Sequence, residues 1–161
     1  MATEQFIDGV RELLYIDTAT PITADLDDVV FPGDFELVGC LTSNGFSGTT
    51  GTIDTTSKCS GKFTTSLPGD ISWSISAEGN SIDLPSPGSG VDVSNNALFK
   101  LWKAGTTFWA MLTDVNTLAS RYGLAYISSY DDSAPRAAAK TFSITLTGVG
   151  EPGDQDDLGT T

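Results

Sequence analysis

The feature that most constrains this chain is a two-residue alternation of apolar and polar side chains. From Lys140 to Val149, Phe142, Ile144 and Leu146 alternate with Thr141, Ser143, Thr145 and Thr147. From Asp70 to Ala77, Ile71, Trp73, Ile75 and Ala77 alternate with Ser72, Ser74 and Ser76. Successive side chains of a strand point to opposite faces, so each pattern describes a strand with one buried and one polar face. Three more apolar runs read as strands: Arg11 to Asp17, Phe35 to Thr42 and Tyr122 to Tyr130. A mainly β chain is expected.

The run Thr106 to Asp114 differs from these. Phe108, Ala110 and Leu112 share one face, while Trp109 and Met111 lie on the other. Such a strand needs cover on both sides. A neighbouring subunit could supply one cover; an ordinary inner strand is the equal alternative.

One helix is expected. Ser94 or Asn95 can cap its start, and Leu98, Leu101 and Trp102 share a face by i, i+3, i+4 spacing. Lys100 and Lys103 suit the C-terminal end of the dipole, and Gly105 is the stop. By contrast, Ser43 to Gly69 is rich in Ser, Thr and Gly. It reads as a long loop with short extended segments, and loops of that length are uncommon unless they have a role. Residues 151–161 hold Glu151, Asp154, Asp156 and Asp157 with little apolar matter, and read as a flexible acidic tail.

At 161 residues the chain fits one domain, and can bury about 70% of its unfolded surface without a disulfide or metal. The 17 glycines and 7 prolines suit strands joined by turns. Histidine is absent, which removes Ser-His-Asp, Cys-His and His-metal chemistry. No carboxylate pair stands out by motif, so no enzyme is expected. Gly45, Gly48 and Gly51 lack the lysine of a phosphate loop. Asp25, Asp27 and Asp28 are too short an alternation for a calcium loop and read as solvated. No cofactor or metal is expected. Cys40 and Cys59 read as buried or incidental free thiols.

With 21 acidic and 8 basic residues, the formal charge is −13. Such a surface repels nucleic acid phosphates. No run reaches the ~20 apolar residues of a membrane span. The residues Met1 to Gln5 are not followed by an apolar run, so synthesis in a cytoplasm is expected.

Four further stretches matter in their order along the chain. Leu37-Val38-Gly39-Cys40-Leu41-Thr42-Ser43-Asn44 precedes Ile53-Asp54-Thr55-Thr56-Ser57-Lys58. The Trp73 strand and the helix follow, then Tyr122-Gly123-Leu124-Ala125-Tyr126-Ile127-Ser128-Ser129. The chain closes on Lys140-Thr141-Phe142-Ser143-Ile144-Thr145-Leu146-Thr147-Gly148-Val149-Gly150. From about Arg11 to Gly150, this order resembles the major tail tube proteins of siphophages.

The resemblance implies a two-sheet β-sandwich flanked by one short helix, within a tail tube domain over residues 1–150. It implies hexameric rings with a β-barrel lumen, stacked into a tube. Residues 43–69 would reach the neighbouring ring, and Trp109, Met111, Ile53 and Phe63 would be subunit-interface residues. The implied partners are copies of the chain, proteins at the tube ends, a tape measure protein in the lumen and DNA in passage. The implied location is the virion tail, assembled in the host cytoplasm. The competing reading is a carbohydrate-binding or adhesin-type β-sandwich, which predicts a monomer with a row of exposed aromatics.

Overall fold

The computed structural model describes residues 12–21, 23, 35–82, 93–114 and 120–154. The Asp25–Asp28 segment, Pro85 to Gly90 and residues 155–161 lie outside these. Seven strands and one helix follow in order: β1 (Glu12–Asp17), β2 (Glu36–Leu37), β3 (Leu41–Asp54), β4 (Ser66–Asn80), α1 (Asn95–Ala104), β5 (Thr107–Asp114), β6 (Ser120–Ser133) and β7 (Thr141–Asp154).

The strands form one antiparallel sheet in the order β2-β1-β5-β6-β7-β4-β3, where two separate sheets were expected. The sheet curls without closing. Near its two ends, the Asn44 side-chain amide of β3 donates to the Glu12 carbonyl of β1 at 3.1 Å, but no ladder joins those strands. The inner face carries one contiguous core. Leu14 and Ile16 of β1, Ile75 and Ala77 of β4, Phe108 and Leu112 of β5, and Ile144 and Leu146 of β7 meet there. Alternation thus works as expected: each strand of the body sends every second side chain inward.

The helix begins at Ser94, whose Oγ accepts from the Ala97 N–H at 3.4 Å. It stops at Gly105, in the left-handed region at φ 63°. Leu98 is fully buried in the core and Leu101 packs at its margin. Trp102, expected on the same face, lies at the edge and is 41% exposed.

Several expected boundaries shift for identifiable reasons. The strand predicted over Phe35 to Thr42 is split. Cys40 adopts φ 59°, and its carbonyl accepts from the Asn80 N–H at 2.9 Å, so the chain turns from β2 into β3. β7 runs on to Asp154, so residues 151–154 are paired rather than a free tail. Gly153 lies opposite Tyr122 of β6, and a side chain there would meet the Tyr122 ring. β6 likewise continues through Asp131 to Ser133, beyond Tyr130, where the expected strand ends.

Candidate assembly surface

The largest departure from expectation lies in residues 43–69. They are not loop but most of a long hairpin, with β3 and β4 paired from Leu41↔Gly79 to Asp54↔Ser66. Only the half of β4 from Ser74 to Asn80 also pairs with β7. Beyond Ser74 the hairpin leaves the sheet as a two-stranded arm, and the eight residues back to Ser66 span roughly 26 Å at about 3.3 Å each.

Trp73 fixes the point of departure. Its indole lies over Gly148 of β7 and Gly123 of β6, where any side chain would collide with the ring. Its Nε1–H donates to the Gly150 carbonyl at 2.9 Å. Phe46 stacks on it, with ring centroids 5.6 Å apart and 17° between planes. The Thr147-Gly148-Val149-Gly150 ending and the Gly123 position therefore share one physical cause. Both make room for the tryptophan at the root of the arm.

Polar bonds order the tip, in place of a core. The Thr55 N–H donates to the Thr65 carbonyl at 2.9 Å, and the Thr65 N–H to Thr56 Oγ1 at 3.1 Å. Asp54 Oδ1 accepts from the Thr56 N–H at 2.8 Å. Hydrogen bonds from the Thr56 side chain and backbone hold the Asp54 carboxyl below its usual range. Ser57 and Ser60 close the turn, with the Ser57 N–H donating to Ser60 Oγ at 3.0 Å. Ser and Thr hydroxyls readily satisfy turn backbone in this way, so the richness of this stretch in those residues reflects order.

The arm carries four of the eight exposed large apolar residues among those described. Phe63 is 82% exposed at the tip, Ile71 is 74% exposed, and Ile53 and Leu67 form an exposed cross-strand pair. Lys58 and Lys62 flank the tip, and residues 55–65 contain no acidic residue. Single exposed apolar residues are ordinary, but several gathered on one unsupported hairpin set the arm apart from the body.

The four predicted interface residues thus divide into two pairs. Ile53 and Phe63 lie on the arm, exposed. Trp109 and Met111 lie in the body, 2% and 0% exposed, in a second cluster with Tyr122 that Tyr15, Phe35 and Leu124 flank. The Trp109 Nε1–H donates to the Pro21 carbonyl at 3.3 Å. The second cover of β5 comes from the chain itself, the inner-strand alternative. Burial there also pushes the Tyr15 phenol up.

Leu67, Ile71, Lys58 and Lys62 were missed as surface residues. Ile71 was obscured because its alternation with Trp73 reads as burial; only the point at which β7 ends its pairing shows otherwise. A second exposed apolar group lies on α1, where Phe99 and Trp102 meet Tyr130 of β6. Phe99 is tilted 39° to Trp102 and 67° to Tyr130, while Trp102 and Tyr130 stack at 30°. Cys40 and Cys59 are exposed free thiols, not buried ones. Among the described residues, no group of three His, Cys, Asp or Glu side chains could hold a metal.

Comparison with known proteins gives this geometry its context. No curated protein matches the sequence. Among solved structures, the fold is similar to the tail of an empty gene transfer agent particle refined with C6 symmetry. That match has a TM-score of 0.69 and 18% identity, over 92% of this chain and 98% of the other. It is also similar to the SPP1 tail tube, with a TM-score of 0.60 and 17% identity over 89% and 76%. A chain of the anti-feeding prophage baseplate matches with a TM-score of 0.58 and 11% identity over 91% and 92%. At the level of sequence families, residues 7–154 match the family described as phage tail tube protein. The chain therefore belongs to the phage tail tube protein family, and is a structural subunit of a tail tube.

Proposed function

We propose that six copies of the chain form a ring and that rings stack into a hollow conduit through which DNA leaves the virion. The carrying observation is the arm: a hydrogen-bonded hairpin with exposed apolar residues that the chain's own body does not cover. The curled, unclosed sheet supports the ring. β3 at one end presents a 14-residue edge, and joining edges around a ring removes the exposed backbone groups that otherwise invite aggregation. The inner sheets of neighbours would then make a continuous β-barrel lumen, with each subunit a sandwich-like wall.

In this reading the arm over residues 43–69 reaches the adjacent ring, with Ile53 and Phe63 in the contact. The tube assembles in the host cytoplasm around a tape measure protein, joins other tail proteins at its ends and becomes part of the virion tail. DNA passes without specific binding, because a net charge of −13 per subunit repels phosphate over a screening length of about 8 Å. The subunit performs no catalysis.

The test is negative-stain electron microscopy of concentrated protein beside sizing of a dilute sample. Rings or hollow tubes are expected. Compact monomers at every concentration, also in the presence of a tail initiator complex, would overturn the reading.

A further inference from the structure

The two ends of β4 differ in chemistry. At the arm end are Lys58, Lys62 and Phe63. At the other end, the start of β7 and the end of β6 join Glu78 and Gly79 around a groove of about 290 Å³. Its wall carries Glu78, Asp131 and Asp132 with Thr42 and Phe142, and no cation. Arg136 and Lys140 lie in the turn beyond, and Lys140 is paired with Asp132 at 3.0 Å. The groove therefore presents chiefly Glu78 and Asp131.

On the opposite face of the sheet, a second hollow shares Asp132 and is lined by Phe99, Tyr130 and Lys140. The Tyr130 hydroxyl donates to the Asn95 carbonyl at 3.4 Å, which places the start of α1 at this same end. Lys103 lies in the helix's last turn, away from it. One end of the subunit is thus basic with a protruding aromatic. The other has an acidic groove on one face and, on the opposite face, an aromatic hollow that Lys140 also lines.

We propose that the groove between Glu78 and Asp131 is the receptor for the arm tip of a second copy of this chain. Lys58 and Lys62 meet the carboxylates. This rests on the tube reading above and adds the acceptor to it. Two different patches at opposite ends of one strand make a heterologous contact. Such a contact does not close on itself and extends as an open stack. Opposite charges at the ends also answer a difficulty of a chain this acidic: elsewhere, copies repel, so the tip's two lysines set the register in which they attract.

The test is a charge exchange in the full chain, read as the protein concentration at which tubes appear under the electron microscope. Lys58→Glu with Lys62→Glu, and separately Glu78→Lys with Asp131→Lys, should each raise that concentration about tenfold or more. Mixing the two reversed proteins should restore co-assembly to within about threefold of the unaltered protein, as paired charges regain their partners. Melting curves check that each variant folds.

A deletion of residues 55–65 separates the two claims. If the deleted protein still stacks, the arm reading itself fails. If deletion stops stacking while the groove variant assembles normally, or if the mixture is not rescued, the groove is not the acceptor and the arm reading stands.

Discussion

The body and the arm follow the same strand geometry and reach opposite ends. In β4, Trp73, Ile75 and Ala77 are at most 4% exposed, whereas Ile71, next in the same alternation, is 74% exposed. Nothing in the local sequence separates them. The difference is that β7 pairs with β4 only from Ser74 onward. Apolar side chains of the body are covered by their own chain and contribute to folding, while those of the arm can contribute only when another molecule covers them.

The comparison breaks most readily in the core. Ile75 is fully buried, so Ile75→Ala should cost about 2–5 kcal/mol of subunit stability in denaturant melts. A loss below that range would mean the inner face is loosely packed.

A smaller effect is expected at the root. Gly148→Ala puts a methyl group into the Trp73 indole and should cost about 1–3 kcal/mol. It should also shift the Trp73 indole N–H resonance, since that group bonds to Gly150. An unchanged resonance would detach the tryptophan from its assigned place.

On the arm, Phe63→Ser with Ile71→Ser should leave the subunit's melting within about 0.5 kcal/mol of the original. Tube formation should weaken. Equal loss of folding and assembly would erase the distinction between the two regions.

The smallest effect concerns Asp54. A carboxyl held below its usual range stabilises the folded tip above its unfolded pKa. That contribution is lost as pH falls through the lowered folded value. The Thr56 amide resonance should therefore move as pH falls below about 4, the ordinary carboxylate range. In Asp54→Asn it should stay flat.

Legibility in the sequence followed the source of order. Where order comes from burial, the alternation or the cap showed it: Phe142, Ile144 and Leu146 face inward, Ser94 caps α1 and Gly105 ends it. Where order comes from polar bonds, the same residues read as loop. Thr55, Thr56 and Thr65 hold the arm tip through hydroxyl and backbone bonds that leave no apolar period. Long-range effects were equally hidden. The split at Cys40 depends on the close approach of Gly79, and the continuation of β7 past Gly150 depends on Tyr122 packing over Gly153. The number of sheets was not legible either, because an apolar strand such as β5 is covered on both faces in a curled sheet and in a sandwich alike. Of the residues read as interface, Ile53 and Phe63 are apolar residues in polar surroundings and lie exposed on the arm, whereas Trp109 and Met111, read from a strand apolar on both faces, are buried in the body.

The tip's hydrogen bonds have a kinetic consequence. A segment that orders only on docking loses conformational freedom at the moment of contact, which slows and weakens association. Here Asp54, Thr56, Ser57 and Ser60 have already fixed the turn within the single chain. That entropy is lost once, when the chain folds, and not again at each addition. In the proposed stack of rings, each addition then depends on how often copies meet in the right orientation, so the wait for a first ring, rather than the speed of each later step, would set when a tube appears.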